Sequence, residues 1–268
     1  MRHIDRLAEP GILTKKKPQW LADFLASGKN RPDSSKYGHK DILAALNNMS
    51  YNKCFYSEER LIAKPKNVDH LMEVALDKTK AFEWSNLYLS SPECNQGRPD
   101  NNDIPIADVL DPCKDSDAEI QAHITFDNEL IQANNGSKKG LDTIRKFKLD
   151  NEALTYKRCK CLQKLADLIL SKNKTREAEG RVSFTDSEKN EIRAWASPDR
   201  EFSLMVEVYL KKYNLVACYT EVCYNFNNLI RNNRIYLLEE MQWERNGFIY
   251  SQKVMQICVN FLAEKSQI

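Results

Sequence analysis

Apolar residues recur at helical spacing through most of the second half of the chain. The longest such pattern predicts a helix over residues 151–172. Thr185 and Glu188 match a capping box, which predicts a further helix through Trp195. Ser197 followed by Pro198 predicts the cap and first turn of the next helix. Two more helical patterns cover residues 229–243 and 250–262.

The first half of the chain changes pattern over short distances. The N-terminus, with its lysines at 15–17, is predicted to be irregular, and a short amphipathic stretch follows around Trp20 and Phe24. Residues 27–36 read as a loop, and 41–49 as a helix with apolar positions at helical spacing.

Residues 50–96 predict a small unit of short elements. Two short extended pieces are expected between residues 50 and 72, and a third strand lies within 82–91. A helical turn starts at Pro92, because proline is well tolerated at the first helical position. Beyond it, residues 100–119 are acidic and read as a surface loop, and 123–131 alternate as a strand or hairpin.

These elements predict an α+β fold that is predominantly helical, with a small unit of strands and one helix embedded in a helical domain. We expect three regions. Residues 1–49 form a basic N-terminal segment and helix, 50–135 hold the small unit with the acidic loop and hairpin, and 136–268 form a helical C-terminal region.

Composition narrows the class of protein. Eight glycines in 268 residues are few, which argues against barrels, sandwiches and Gly-rich nucleotide loops. No apolar run approaches the roughly 20 residues of a membrane span, and the first residues lack a signal-peptide core. We therefore expect a cytoplasmic protein with no membrane association. In that reducing compartment the eight cysteines are expected as thiols, with Cys218, Cys223 and Cys258 buried among apolar residues.

The net charge of +2 conceals strong local asymmetry. Residues 100–129 carry nine acids and one base, whereas 138–176 carry twelve bases and four acids. The first 66 residues carry thirteen bases and seven acids. Such basic segments suit a polyanionic partner, since phosphate contacts supply most non-specific affinity for nucleic acid. Solvated helix faces are the alternative explanation.

Four short motifs within residues 54–98 carry the candidate chemistry. In order they are Cys-Phe-Tyr-Ser from Cys54, Val-Asp-His-Leu around His70, Trp-Ser-Asn-Leu around Asn86, and Cys-Asn-Gln-Gly-Arg from Cys94. This order resembles the HNH endonuclease family with its ββα-metal fold. It is most similar to the PtuB-like HNH nucleases of retron and Septu anti-phage systems, and that resemblance covers residues 1–172.

The residue chemistry agrees with the roles that this resemblance implies. Asp69 can offer a hard oxygen to a divalent cation, and His70, on the opposite face of the strand, can take a proton from water near neutral pH. The resemblance implies that Asn86 braces the loop that holds His70 and that Asn95 is a second metal ligand. It also implies that Arg98 binds phosphate. The expected ion is Mg²⁺, with Mn²⁺ as an alternative.

The sequence departs from many of these relatives at the structural zinc site. They place two Cys-x-x-Cys pairs around the ion, whereas here the pairs read Cys54 with Ser57 and Ser91 with Cys94. A serine hydroxyl is a poor zinc ligand at neutral pH, so we expect Cys54 and Cys94 to mark a degenerate site without stoichiometric zinc.

The resemblance implies a metal-dependent nuclease of nucleic acid, with DNA favoured and RNA or tRNA possible. It also implies the effector role in an anti-phage system controlled by a partner ATPase subunit. Since this chain has no Gly-rich phosphate loop, any ATP dependence is expected to come from that other chain. Two other functions fit the same residues: a non-catalytic nucleic-acid-binding module, and a subunit that docks an ATPase and carries a vestigial HNH unit.

Overall fold

The computed structural model describes residues 1–61, 67–96 and 104–213. Within these ranges the chain forms nine α-helices and two small antiparallel sheets, which confirms a mostly helical α+β fold. Arg98, the helical patterns at 229–243 and 250–262, and the cysteines at 218, 223 and 258 lie outside the described residues.

Three helices precede the first sheet: α1 (Gly11–Ala26), α2 (Ser34–Tyr37) and α3 (Lys40–Met49). The helix predicted over 41–49 is confirmed, but the prediction of an irregular segment at 15–17 was wrong. Those lysines lie in α1, although proline stands inside that helix. Local propensity does not favour a helix here. Burial of the apolar face of α1, including Leu13, stabilises it.

The first sheet has two strands, β1 (Asn67–His70) and β2 (Leu87–Ser90), paired antiparallel with His70 opposite Leu87. Helix α4 (Pro92–Gln96) follows β2, as predicted from Pro92. The extended piece expected before β1 is reduced to one isolated bridge between Lys53 and Arg60. A turn replaces it, because the Glu58 N–H bonds back to the Cys54 carbonyl at 3.0 Å.

The predicted hairpin is confirmed by β3 (Ile124–Asp127) and β4 (Leu130–Ala133), which form the second sheet. Helix α5 (Asp117–His123) precedes it and α6 (Lys138–Lys146) follows. The acidic segment expected to be a loop through residue 119 therefore becomes helical at Asp117. Ser116 caps this helix by accepting a hydrogen bond from the Glu119 N–H.

Three helices complete the described chain: α7 (Glu152–Ala178), α8 (Asp186–Arg193) and α9 (Ser203–Lys212). The capping box of Thr185 and Glu188 is confirmed. The cap predicted at Ser197 is wrong, because the helix begins at Ser203. Its start is fixed by a distant carboxylate: the Ser203 hydroxyl and the Leu204 N–H donate to Glu58 at 3.2 and 3.1 Å.

The chain divides into two compact units. The first comprises residues 1–162 and 195–208, and contains both sheets. The second comprises 163–194 and the chain from residue 209 onward. In the second unit, Arg181 donates two hydrogen bonds to the carboxylate of Glu188, at 2.8 and 2.9 Å. Among the described residues, no helix combines the length and apolar character needed to cross a bilayer.

A buried charge network surrounds Glu58 in the first unit. Glu58 is 3% exposed and adopts a left-handed backbone conformation with φ of 61°. Arg2 forms an ion pair with it at 3.8 Å and donates to the Ser203 hydroxyl at 2.8 Å. Burial by itself would raise the pKa of the Glu58 carboxyl. The positive charges of the N-terminal amine, Lys53 and Arg2 act in the opposite direction and together outweigh burial, so the pKa is lowered.

We expect Glu58→Gln to destabilise the protein by about 3 kcal/mol at neutral pH, because it removes the buried negative charge that the N-terminal amine, Lys53 and Arg2 share. Since the folded-state pKa of Glu58 is lowered, its contribution is present above the unfolded pKa and disappears as pH falls through the folded value. Urea unfolding at neutral pH and near pH 3 measures both effects.

The matched control is Glu119→Gln, which removes a carboxylate that is paired with Lys139 at the surface. Exposed pairs contribute about 0–1 kcal/mol, so this variant should unfold close to wild type. Equal destabilisation by the two substitutions would contradict a special role for the buried network.

Candidate active site

His70 is the last residue of β1, and its imidazole is held by a backbone carbonyl. The ring Nε2 lies 2.8 Å from the Ala81 oxygen. Because a carbonyl can only accept, Nε2 must carry the hydrogen, and the basic lone pair of the neutral ring is then on Nδ1. The Tyr37 ring packs edge-on against the imidazole, with centroids 4.8 Å apart. Both tautomer and orientation of the ring are therefore fixed.

The Ala81 carbonyl, which accepts the hydrogen bond from His70, is itself positioned by helix α1. Ala81 lies in a 3₁₀ turn, Lys78–Phe82, and both Ala81 and Phe82 are buried. The Phe82 ring packs against Trp20 at 5.8 Å and against Phe24 at 6.3 Å. The aromatic residues of the N-terminal helix therefore hold the turn against which the histidine is oriented.

Asn86 ties together the two chain segments on either side of the His70 loop. Its side-chain oxygen accepts from the Met72 N–H at 2.7 Å, and its amide donates to the carbonyls of Met72 and Lys80 at 3.0 and 3.1 Å. The Asn86 carbonyl also accepts from the Leu71 N–H at 3.0 Å. A buried amide with this many backbone partners has one available orientation, so it constrains the loop that follows His70.

The same loop is held from the other side by a buried lysine. Lys146, at the end of α6, is 1% exposed, and its Nζ lies 2.8 Å from Glu73 Oε1 and 2.8 Å from the Ile104 carbonyl. Because Lys146 is buried, removal of the Glu73 carboxylate would weaken the compensation of its charge. The sequence reasoning did not identify this pair. Lysine at the apolar edge of a predicted helix was the available signal.

Asp69 faces the opposite side of β1 from His70. It is 7% exposed, and Tyr56 donates its phenolic hydrogen to Asp69 Oδ2 at 2.8 Å. Asn95 lies on α4, which packs against β1. One carboxylate and one amide oxygen suit a hard cation such as Mg²⁺, which keeps several of its waters. Among the described residues, no cluster of three or more His, Cys, Asp or Glu side chains could hold a metal.

The degenerate zinc positions converge in space. Cys54 and Cys94 are both buried and their thiols are in hydrogen-bonding contact. The hydroxyls of Ser57 and Ser91 also bond within the group, and the Cys94 N–H donates to Ser91 Oγ at 3.3 Å. The structure therefore brings together two thiols and two hydroxyls at the positions where the sequence predicted a degenerate zinc site.

This cluster favours different protonation of its two thiols. Burial raises the pKa of Cys54, but hydrogen bonds from Cys94 and Ser57 outweigh burial and lower it. The pKa of Cys94 is raised, first because it donates to Cys54 and second because it is buried. Loss of a proton from this pair is therefore favoured at Cys54 over Cys94.

Ion pairs and aromatic packing reinforce the two turns of the former zinc site. Lys157 on α7 forms ion pairs with Glu59 beside the first turn and with Glu93 beside the second, the latter at 2.9 Å. Tyr56 stacks on Phe147 with centroids 4.0 Å apart. Lys157 therefore links the two turns, while Phe147 packs against the first.

The other three histidines bond to neighbouring backbone or side-chain groups, and the two cysteines of the Cys-x-Cys pair lie in a helix. His39 caps α3, and the Nδ1 atoms of His3 and His123 lie 2.9 Å from the Asp115 carbonyl and 2.7 Å from the Ser137 hydroxyl. His123 ends α5, so the expectation that it belongs to a strand was wrong. Cys159 and Cys161 lie within α7, as their helical pattern predicted.

We expect Ser57→Cys together with Ser91→Cys to create a four-thiolate zinc site, because the four side chains already meet. At zinc concentrations one hundred times Kd, linkage predicts a stabilisation of about 2.7 kcal/mol. Thermal unfolding with zinc and with EDTA measures this, and Ser57→Cys alone is the control with an incomplete site.

Wild-type protein should contain no stoichiometric zinc by elemental analysis. About one zinc per chain that survives dialysis would show that hydroxyls or another residue complete the site, and would contradict the loss argued from Ser57 and Ser91.

Comparison with known proteins gives one informative similarity, and no family model matches the sequence. The Septu protein PtuB of Bacillus thuringiensis is 26% identical over 217 residues, which cover 77% of this chain and 80% of that protein. The chain is therefore distantly similar, over most of its length, to a protein of a Septu system.

Proposed function

We propose that this protein is an HNH endonuclease that hydrolyses phosphodiester bonds of nucleic acid with a divalent metal ion, DNA being the favoured substrate. The observation that carries the proposal is the fixed orientation of His70. Its Nε2 donates to the Ala81 carbonyl, and Asn86 constrains the loop that follows it.

The proposed chemistry begins with proton transfer. His70 takes a proton from water through Nδ1, since its Nε2 is already engaged as a donor. Asp69 and Asn95 would hold the metal ion through oxygen atoms, with Asp69 oriented by the Tyr56 hydroxyl. When bound there, Mg²⁺ would polarise a phosphate oxygen and stabilise the charge that develops on the leaving oxygen. Arg98 would hold a phosphate in this scheme.

The similarity to the Septu protein PtuB supports a role in anti-phage defence. We propose that the protein is the effector of such a system and that a partner ATPase subunit controls cutting. The sequence carries no Gly-rich phosphate loop, so ATP dependence would have to come from another chain.

We expect His70→Ala to abolish cleavage while the protein remains folded, because loss of a general base costs about 10²–10⁴-fold in rate. Cleavage of duplex DNA, single-stranded DNA and tRNA, each with Mg²⁺ and with EDTA, provides the measurement. His123→Ala is the matched control, since that ring bonds to Ser137. A His70→Ala protein that cuts at the wild-type rate would refute the assigned base.

We expect Asp69→Ala and Asn95→Ala to raise the Mg²⁺ or Mn²⁺ concentration required for half-maximal activity. The effect of Asn95→Ala should be milder, since a neutral amide contributes less to cation binding than a carboxylate does. Asp69→Asn is a useful third variant, because it preserves an oxygen acceptor for Tyr56 while removing the charge.

Metal titration of cleavage rate for the three variants and the wild type tests this ligand set. If all the curves superimpose, Asp69 and Asn95 do not hold the metal, and the ion must bind elsewhere.

A further inference from the structure

The loop between α1 and α2 lies beside His70. Tyr37, at the end of α2, packs its ring against the imidazole. At the other end of the segment, Lys78 donates to the Lys29 carbonyl at 2.9 Å, and its ammonium lies 5.9 Å from the centre of the Phe24 ring. Because Lys78 begins the turn that carries Ala81, both ends of this loop are joined to the parts that orient His70.

Two cations of this loop are exposed and form no ion pair within the part of the chain that the structure describes. Within the described ranges, the side chains of Lys29 and Arg31 have no acidic partner, whereas Lys36 forms an ion pair with Asp23 at 3.5 Å. The neighbouring carboxylate of Asp33 caps α2, where it accepts from the Ser35 N–H at 2.9 Å, and it lies within electrostatic range of Lys29 without forming an ion pair with it. The loop therefore presents two positive charges to solvent.

The positive charge of Arg31 acts on Tyr37, whose ring packs against His70. Burial is the main cause that raises the pKa of Tyr37, and the Asp69 carboxylate raises it further. The Arg31 guanidinium acts in the opposite direction on the same phenol. Arg31 and Asp69 are thus both within electrostatic range of the ring that touches His70.

We propose that Lys29 and Arg31 bind the phosphodiester backbone of the nucleic-acid strand that enters the His70 site. This inference rests on the proposed nuclease function and adds the surface that would hold the substrate. Solvated cations without acidic partners can neutralise phosphates and release counterions, while arginine also offers two parallel hydrogen bonds to phosphate oxygens. The position next to Tyr37 would place the bound backbone beside the imidazole.

The test is nucleic-acid binding in a His70→Ala background, so that no cleavage interferes. The probes are a 20-base-pair DNA duplex and an RNA hairpin, titrated at several salt concentrations. Lys29→Glu with Arg31→Glu should raise Kd by about tenfold or more. It should also make the dependence of log K on log salt shallower by about two on duplex DNA, since each lost phosphate contact removes about 0.9.

The matched control is Lys15→Glu with Lys16→Glu. These α1 residues are exposed, have no acidic partner among the described residues, and undergo the same change of charge. The Kd of this control variant should change by less than about threefold, because direct contacts with phosphate, and not the net charge of the protein, dominate the loss of affinity. Lys29→Gln with Arg31→Gln, a milder pair, is measured as well in case charge reversal impairs folding, which circular dichroism would reveal.

Unchanged binding for both Lys29/Arg31 variants, or equal losses for the control pair, would overturn this site. A loss on only one probe supports the site and identifies its nucleic acid. Cleavage by the His70-containing protein decides the nuclease function separately. A protein that binds through Lys29 and Arg31 but never cuts would retain this interface and lose the proposed enzyme activity.

Discussion

Two strands of four residues cannot hold the His70 side chain in place without outside support, because an isolated strand pair of that length is marginal in water. The β1–β2 pair is supported where it would otherwise open. Asn86 closes the loop between the strands, and Arg6 donates to the Trp84 and Leu87 carbonyls at 2.6 and 3.1 Å. Lys157 joins the turns that flank the sheet. The orientation of His70 depends on this external bracing more than on the strand that carries it.

Local patterns were sufficient for elements whose boundaries are set by their own residues. The capping box of Thr185 and Glu188, the helical turn at Pro92 and the hairpin of 124–133 are of this kind. Boundaries set by distant partners were not predictable. Helix α9 begins at Ser203 because Glu58, 145 residues away, accepts a hydrogen bond from its hydroxyl. No window along the sequence contains both residues.

The same distinction applies to the candidate site. The motif around Asn86 was visible in the sequence, and its contacts with Met72 and Lys80 are local enough to be expected of a brace. Tyr37 was missed because it lies 33 residues before His70 in an unremarkable segment, and only the packing of α1 brings its loop there. Lys146 was missed since a helix pattern cannot reveal that a lysine is buried against Glu73.

Ion pairs from two later helices support the segments around the first sheet. Lys146 at the end of α6 pairs with Glu73, and Lys157 on α7 pairs with Glu59 and Glu93. Lys146 and Glu59 are both buried, so each ion pair offsets part of the cost of removing a charge from water. A segment that ended at residue 135 would omit both lysines. The His70 region therefore depends on helices far along the chain, because α6 and α7 supply the cations that pair with Glu73 and Glu59.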